Sequence, residues 1–242
     1  MDTSEKAANE RASQQLVAHM SLETMFPDPQ SRALAKAAGK GQIRKLNALV
    51  EQGVDVNTRG AGNATPLFWA LRNIKGFERL LQLGANPDVV FNDGGSVMHW
   101  AVGKPNTAFL VSALRHGGNP DLVGTIRQET PLFAAMGPDN KNKLSVLLAA
   151  GADMNFQAKN GETPMMVAAG LGQFDTVFAL LELGADYQLK NSYNDGTLMD
   201  EIAFSRRTID PKSDGGRWME KVIDWLAKRG VEIPEWKDPG KK

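Results

Sequence analysis

The stretch Thr163-Pro164-Met165-Met166-Val167-Ala168-Ala169-Gly170-Leu171-Gly172 describes a short helix with marked ends. Thr163 is a natural N-cap, because its hydroxyl can accept from the bare N–H groups of the first turn. Pro164 fits the next position, where its missing N–H costs nothing. The helix is expected over Met165–Leu171, and Gly172 breaks it. A second helix follows from Phe174 to Leu183, with Phe174, Val177, Phe178, Leu180 and Leu181 forming an apolar stripe at helical spacing. Gly184 supplies the left-handed residue that ends it. The chain then runs extended to a turn at Lys190–Asn194.

The same punctuation recurs along the chain. Gly53-Val54-Asp55-Val56-Asn57, Gly84-Ala85-Asn86-Pro87, Gly117-Gly118-Asn119-Pro120, Gly151-Ala152-Asp153-Met154-Asn155 and Gly184-Ala185-Asp186-Tyr187 are spaced by 31, 33, 34 and 33 residues. A second series runs in phase: Thr65-Pro66-Leu67, Ser96-Val97-Met98, Thr130-Pro131-Leu132, Thr163-Pro164-Met165 and Thr197-Leu198-Met199. Neither helix of a unit can bury its stripe alone, so neighbouring units must stack.

This pattern resembles the ankyrin repeat, whose unit is a β-turn and two antiparallel helices. Thr163-Pro164-Met165-Met166-Val167-Ala168-Ala169 and Gly151-Ala152-Asp153-Met154-Asn155 carry the resemblance. It implies an all-α solenoid of about six helix-turn-helix units with short β-turn connections. Units are expected to begin near residues 26, 58, 90, 124 and 157, with a degenerate capping unit over 190–234. Unit one has Gln30-Ser31 where the others have Thr-Pro or its variants, and the family's signature histidine survives only as His99. In the last unit 46 residues separate Gly184 from Gly230, and the excess falls in a loop around Arg206–Gly216. A capping helix is expected from Trp218 to Arg229. Residues 1–25 read as a lead, a short helix or a disordered segment, with Ala7, Ala8, Ala12, Leu16, Val17 and Met20 in a weak helical pattern. Residues 235–242 read as a polar tail.

Composition narrows the function. Lys+Arg and Asp+Glu both number 28, so the 242-residue chain lacks the cationic excess with which a general nucleic-acid binder displaces counterions. Cysteine is absent, which removes disulfides, thiolate metal sites and cysteine nucleophiles. No apolar run approaches the roughly 20 residues that cross a bilayer. The start, Met1-Asp2-Thr3-Ser4-Glu5-Lys6, lacks the basic and apolar regions of a signal peptide, although a form trimmed of a signal and a lipid-bearing cysteine would read the same.

No catalytic pattern emerges. His19, His99 and His116 are far apart in sequence, and His99 is expected to tie neighbouring turns by hydrogen bonds. Asn92-Asp93-Gly94-Gly95 and Asn194-Asp195-Gly196 read as tight turns rather than calcium loops. Asp200, Glu201, Asp210 and Asp214 read as a solvated helix end and loop. No catalytic residue, cofactor or metal site is expected.

The unusual surface is aromatic. In ankyrin repeats the residue two past the signature leucine faces the concave groove, which places Trp69 and Trp100 at equivalent positions of adjacent units. Arg72, Lys104 and Lys36 flank them. The turn tips should join this surface: Arg59 and Asn63, Asn92 and Asp93, Ile126 and Arg127, Lys159 and Asn160, Tyr193 and Asn194. Tryptophan and arginine dominate binding hot spots; burial of both indoles as extra core is the competing reading. The resemblance implies a non-catalytic protein-binding module. More narrowly, Phe26-Pro27-Asp28-Pro29, Thr65-Pro66-Leu67-Phe68-Trp69-Ala70-Leu71, Val97-Met98-His99-Trp100-Ala101 and Arg206-Arg207-Thr208 resemble a bacterial group of small ankyrin proteins, often exported lipoproteins, some of them similar to immunity proteins paired with type VI secretion lipase toxins. That implies a lipase toxin as partner and residence in the periplasm. The alternative is an adaptor with a cytosolic protein partner.

Overall fold

A computed structural model describes residues 17–236. The helical pattern of Ala7, Ala8, Ala12 and Leu16 and the polar tail from residue 237 lie outside the described residues. Among the described residues there are thirteen α-helices, two 3-10 turns and no β-strand; the one isolated β-bridge joins Val90 and Ser96. The chain divides near residue 131 into two compact units.

The first unit holds α1 (Leu22–Met25), α2 (Pro29–Gly39), α3 (Ile43–Glu51), α4 (Pro66–Ala70), α5 (Ile74–Gln82), α6 (Val97–Val102) and α7 (Ala108–Arg115). Helix α8 (Pro131–Ala134) begins at the division. The second unit holds α9 (Lys141–Ala149), α10 (Pro164–Gly170), α11 (Phe174–Glu182), α12 (Leu198–Ser205) and α13 (Asp214–Ala227).

Local chemistry sets the helix starts as the repeat pattern requires. The hydroxyls of Thr65, Ser96 and Thr163 accept from the backbone N–H three residues on, at 3.3, 3.4 and 3.3 Å. In the first repeat Asp28 replaces them, accepting from both the N–H and the hydroxyl of Ser31 at 2.7 Å, and Pro29 is the first helical residue. Two left-handed positions recur. Gly53, Gly84, Gly117, Gly151 and Gly184 close the second helices at φ between 87° and 92°. Asn63, Gly94, Gln128, Gly161 and Asp195 turn the tips two residues before each cap, at φ from 53° to 83°.

In the first unit, α2 packs on α3 and α4, while α5 packs on α3, α4 and α7. The first helices of successive repeats thus form one row and the second helices another. Leu34, Leu67 and Met98 fill the first row, and Leu46, Phe77, Leu80 and Leu110 the second, all fully buried. Gly76 sits where α5 crosses α2; a Cβ there would lie 1.9 Å from the Ala38 carbonyl oxygen. Side chains lace the repeats together at the base of each second helix. Asn57 Oδ1 accepts from Asn86 N at 2.8 Å and its Nδ2 donates to the Gly84 carbonyl at 3.0 Å. Asp88 Oδ1 holds Asn119 N in the same way at 2.9 Å.

Residues 17–25 pack onto this unit through a 3-10 turn, Val17–His19, and α1. Val17 and Met25 are fully buried, and Asp93 Oδ2 accepts from Val17 N at 2.9 Å.

In the second unit α10 packs on α11 and α12, and α11 on α13. Asn155 Oδ1 holds Asp186 N at 2.8 Å, repeating the Asn57 arrangement. Helix α13 begins four residues before the expected Trp218, because Ser213 caps it by accepting from Gly216 N at 3.0 Å. Its inward stripe is Met219, Val222 and Leu226, while Trp218 and Trp225 are half-buried at its edges.

Candidate protein-binding face

Helix α4 reads Pro66-Leu67-Phe68-Trp69-Ala70. The Thr65 cap sets its rotation, so Pro66, Leu67, Phe68 and Ala70 are buried and Trp69 remains partly exposed. The Trp69 indole leans onto the end of α2, where a Cβ at Gly39 would lie 2.7 Å from Cδ1 and 2.9 Å from Nε1. Gly39 therefore lets the ring lie close to the preceding repeat. Arg72 covers the ring from outside: its guanidinium carbon stands 3.6 Å from the ring centroid, and Nη1 donates to the Trp69 carbonyl at 3.2 Å. This is a cation–π stack, which also fixes the arginine's position.

Helix α6 repeats the design. Ser96 caps it, Val97, Met98, Ala101 and Val102 are buried, and Trp100 is 37% exposed. Phe68 joins the two repeats, meeting the Trp100 ring edge-on at 5.8 Å and the Phe91 ring at 5.0 Å. Lys104 lies one turn beyond Trp100. Partial burial, and secondly the Arg72 charge, hold its ammonium below the usual lysine range. Burial likewise lowers Arg72. Among the described residues no carboxylate pairs with either cation.

The structure therefore gathers Trp69, Arg72, Trp100 and Lys104 on the first-helix row, and neither indole is sealed into the core. Lys36 is exposed on α2, one turn before Gly39. The tips divide. Arg59 and Asn92 are exposed. Asn63 is engaged internally, with Nδ2 donating to the Val90 carbonyl at 2.7 Å. Asp93 is engaged on both oxygens, by Gly95 N at 3.1 Å and Val17 N at 2.9 Å. Ile126 is 60% exposed, with its side chain seated over Gly94, and Arg127 faces Glu129 at 3.5 Å. Lys159 and Tyr193 belong to the second unit; Lys159 is exposed and Tyr193 is 90% exposed.

The sequence reading passed over three partners: Gly39 as the platform for Trp69, Phe68 as the bridge to Trp100, and Asp93 as the anchor of Val17. Only Gly39 left a signal, as a small residue at the end of an apolar helix. One expectation needs correction. Of the late carboxylates, Glu201 is not simply solvated: it is half-buried, and burial, then Glu162 and Asp200, push its carboxyl up. Asp200 instead caps α12 in a box with Thr197. Among the described residues no group of three or more His, Asp or Glu side chains is placed to hold a metal, and no helix is long and apolar enough to cross a membrane.

Residues 98–191 match the family model of ankyrin repeats in three copies. Protein PhlB of Serratia liquefaciens is 31% identical over 130 residues, which is 53% of this chain and 57% of that protein. Neurogenic locus notch homolog protein 1 of Danio rerio is 36% identical over 101 residues, 41% of this chain and 4% of that protein. The chain thus spans little more than half of one curated relative and a small part of the other. Among solved structures, an ankyrin repeat domain from Acinetobacter baumannii AYE aligns at a TM-score of 0.68 with 24% identity, covering 82% of this chain and 98% of that one. A chain from the complex of a Bdellovibrio bacteriovorus predatory endopeptidase with an immunity protein aligns at 0.63 with 25% identity, covering 79% and 98%.

The chain carries ankyrin repeats, and its fold is an all-α ankyrin-repeat solenoid. Such repeats make it a protein-binding module by class.

Proposed function

We propose that this protein is an immunity protein, which binds a toxic secreted hydrolase and blocks its activity, and that the hydrolase is a lipase or phospholipase of the type VI secretion class. The observation that carries the reading is the pair of part-exposed indoles at equivalent positions of successive repeats, the first with the Arg72 guanidinium stacked on it. Part-exposed tryptophans with an arginine beside them are the residue types that anchor protein interfaces. The endopeptidase–immunity protein complex supports the role, since a chain of the same fold occurs there. The lipase partner rests on the likeness of Phe26-Pro27-Asp28-Pro29, His99-Trp100-Ala101 and Arg206-Arg207-Thr208 to ankyrin-type immunity proteins. The same likeness favours the periplasm.

Binding would act by occlusion: a rigid row of short helices set against an enzyme's active-site mouth or moving elements needs no chemistry of its own. The test is to look for a lipase gene beside that of this protein, mix the purified protein with its product and measure hydrolysis of a phospholipid substrate. The reading expects a stable complex and loss of hydrolysis near one equivalent. An adaptor with a cytosolic partner is the alternative, and it gains if no toxin gene adjoins and no hydrolase is inhibited.

A further inference from the structure

We infer that the face formed by Trp69, Arg72, Trp100 and Lys104 receives an acidic segment of the partner protein, with carboxylates meeting Arg72 and Lys104. The inference rests on the protein-binding reading above and names the chemistry of what binds.

The argument starts from an unrelieved pair of like charges. Arg72 and Lys104 are close enough for the Arg72 charge to act on the Lys104 ammonium, which is half-buried, while Arg72 is exposed with its guanidinium on the Trp69 ring. No carboxylate among the described residues answers them. Arg72 is held in place by its stack on Trp69 and its bond to the Trp69 carbonyl. Asp93, on the turn just before α6, is already committed to Gly95 and Val17.

A guanidinium stacked on a ring keeps its N–H groups in the plane available, and those of Arg72 beyond the Nη1 bond to the Trp69 carbonyl can meet a carboxylate. Lys104 offers a second, more adaptable point charge. Lys36 on α2 and Lys40 just past its end are both exposed and extend the positive character past Gly39. The indoles on either side exclude water and so strengthen each charge contact. An incoming acidic segment would thus remove the Arg72–Lys104 repulsion and complete a site that is built but unbalanced. Net charge supports selectivity: with 28 cations against 28 anions overall, the attraction is local to this face.

The test uses fluorescein-labelled twelve-residue peptides that differ only in alternating Glu, Gln or Lys, with anisotropy read in about 50 mM and about 500 mM salt, which spans strong to weak screening. The Glu peptide should bind at low salt and be released at high salt, and the Gln and Lys peptides should not bind. Arg72→Gln and Lys104→Gln should each weaken the Glu peptide at least about 5-fold, a loss of about 1 kcal/mol. Lys75→Gln, on the second-helix row, should leave it unchanged; circular dichroism confirms that each variant is folded. Equal binding of the Gln peptide, no binding of the Glu peptide, an equal loss in Lys75→Gln, or binding only to phosphatidylglycerol vesicles would each overturn the inference. Toxin inhibition that survives Arg72→Gln with Lys104→Gln would remove this inference and leave the immunity reading standing.

Discussion

His99 ties one repeat to the next: its Nε2 lies 3.1 Å from the Glu129 carbonyl oxygen and its Nδ1 lies 2.8 Å from Ser96 Oγ. A carbonyl can only accept, so Nε2 carries the proton and Nδ1 of the neutral ring accepts from the Ser96 hydroxyl. Protonating Nδ1 would reverse that bond, with Ser96 Oγ accepting, and would place a charge in a mostly buried site. Burial accordingly lowers the His99 pKa, against a smaller raising effect of the Glu129 carbonyl.

That arrangement makes stability depend on pH. The unfolded imidazole takes a proton near about 6.5, while the folded one resists until the pH is lower. Between the two values the unfolded state binds more protons, so stability rises with pH. It is fully present above about 7 and declines as pH falls below about 6.5. Urea unfolding at pH 7.5 and 5.5 should show this loss in the wild type and a smaller one in His99→Gln. An identical pH dependence in both proteins would show that His99 plays no such part.

Two glycines should respond differently to alanine. At Gly84, φ is +89° and an added Cβ meets nothing, so Gly84→Ala costs only the left-handed backbone penalty, about 1–2 kcal/mol. At Gly76 the added Cβ would meet the Ala38 carbonyl at 1.9 Å, so α5 must move off α2. Thermal melts should show a modest drop for Gly84→Ala and loss of the cooperative transition, or a far larger drop, for Gly76→Ala. Equal effects would mean that the close helix approach carries no weight.

The two tryptophans should also separate. Trp69 leans on Gly39 and holds Arg72, so Trp69→Ala should lower both stability and partner affinity. Trp100 is more open, so Trp100→Ala should weaken binding by about 2 kcal/mol with little change in melting temperature. Calorimetric titration with the captured partner, beside melts of each variant, reads both. Wild-type affinity in Trp100→Ala would remove that indole from the interface.

Truncation before residue 217 should expose the face of α11 that α13 covers, including Phe178, whose ring lies 5.7 Å from that of Trp218. Solenoid ends need a covering element with a polar outer side, so the truncated protein should aggregate. Light scattering and a melting curve check this; a soluble fragment with a sharp melt would show that α13 is dispensable.

The repeat period made the fold legible, because Thr-Pro caps and terminal glycines act locally and at fixed spacing. Helices α10 and α11 end within one residue of their expected bounds for that reason. What stayed hidden depends on longer-range packing. Gln128 takes the left-handed tip position at φ 53°, where sequence preference points to Gly or Asn. Lys143 is buried and donates to Asn140 Oδ1 at 3.0 Å, a placement that no local pattern in the sequence announces. On α13 Met219 is buried and Trp218 half-buried, a division set by how the helix lies on α11. For the candidate site, the indole positions followed from the period, whereas the Gly39 platform and the Asp93–Val17 bond required coordinates.

Hydrogen exchange of the protein alone and in complex with its partner tests the central claim most directly. Protection concentrated in residues 65–72 and 96–104 is the predicted result. Protection confined to 43–51, 74–82 and 108–115, the second-helix row, would contradict it.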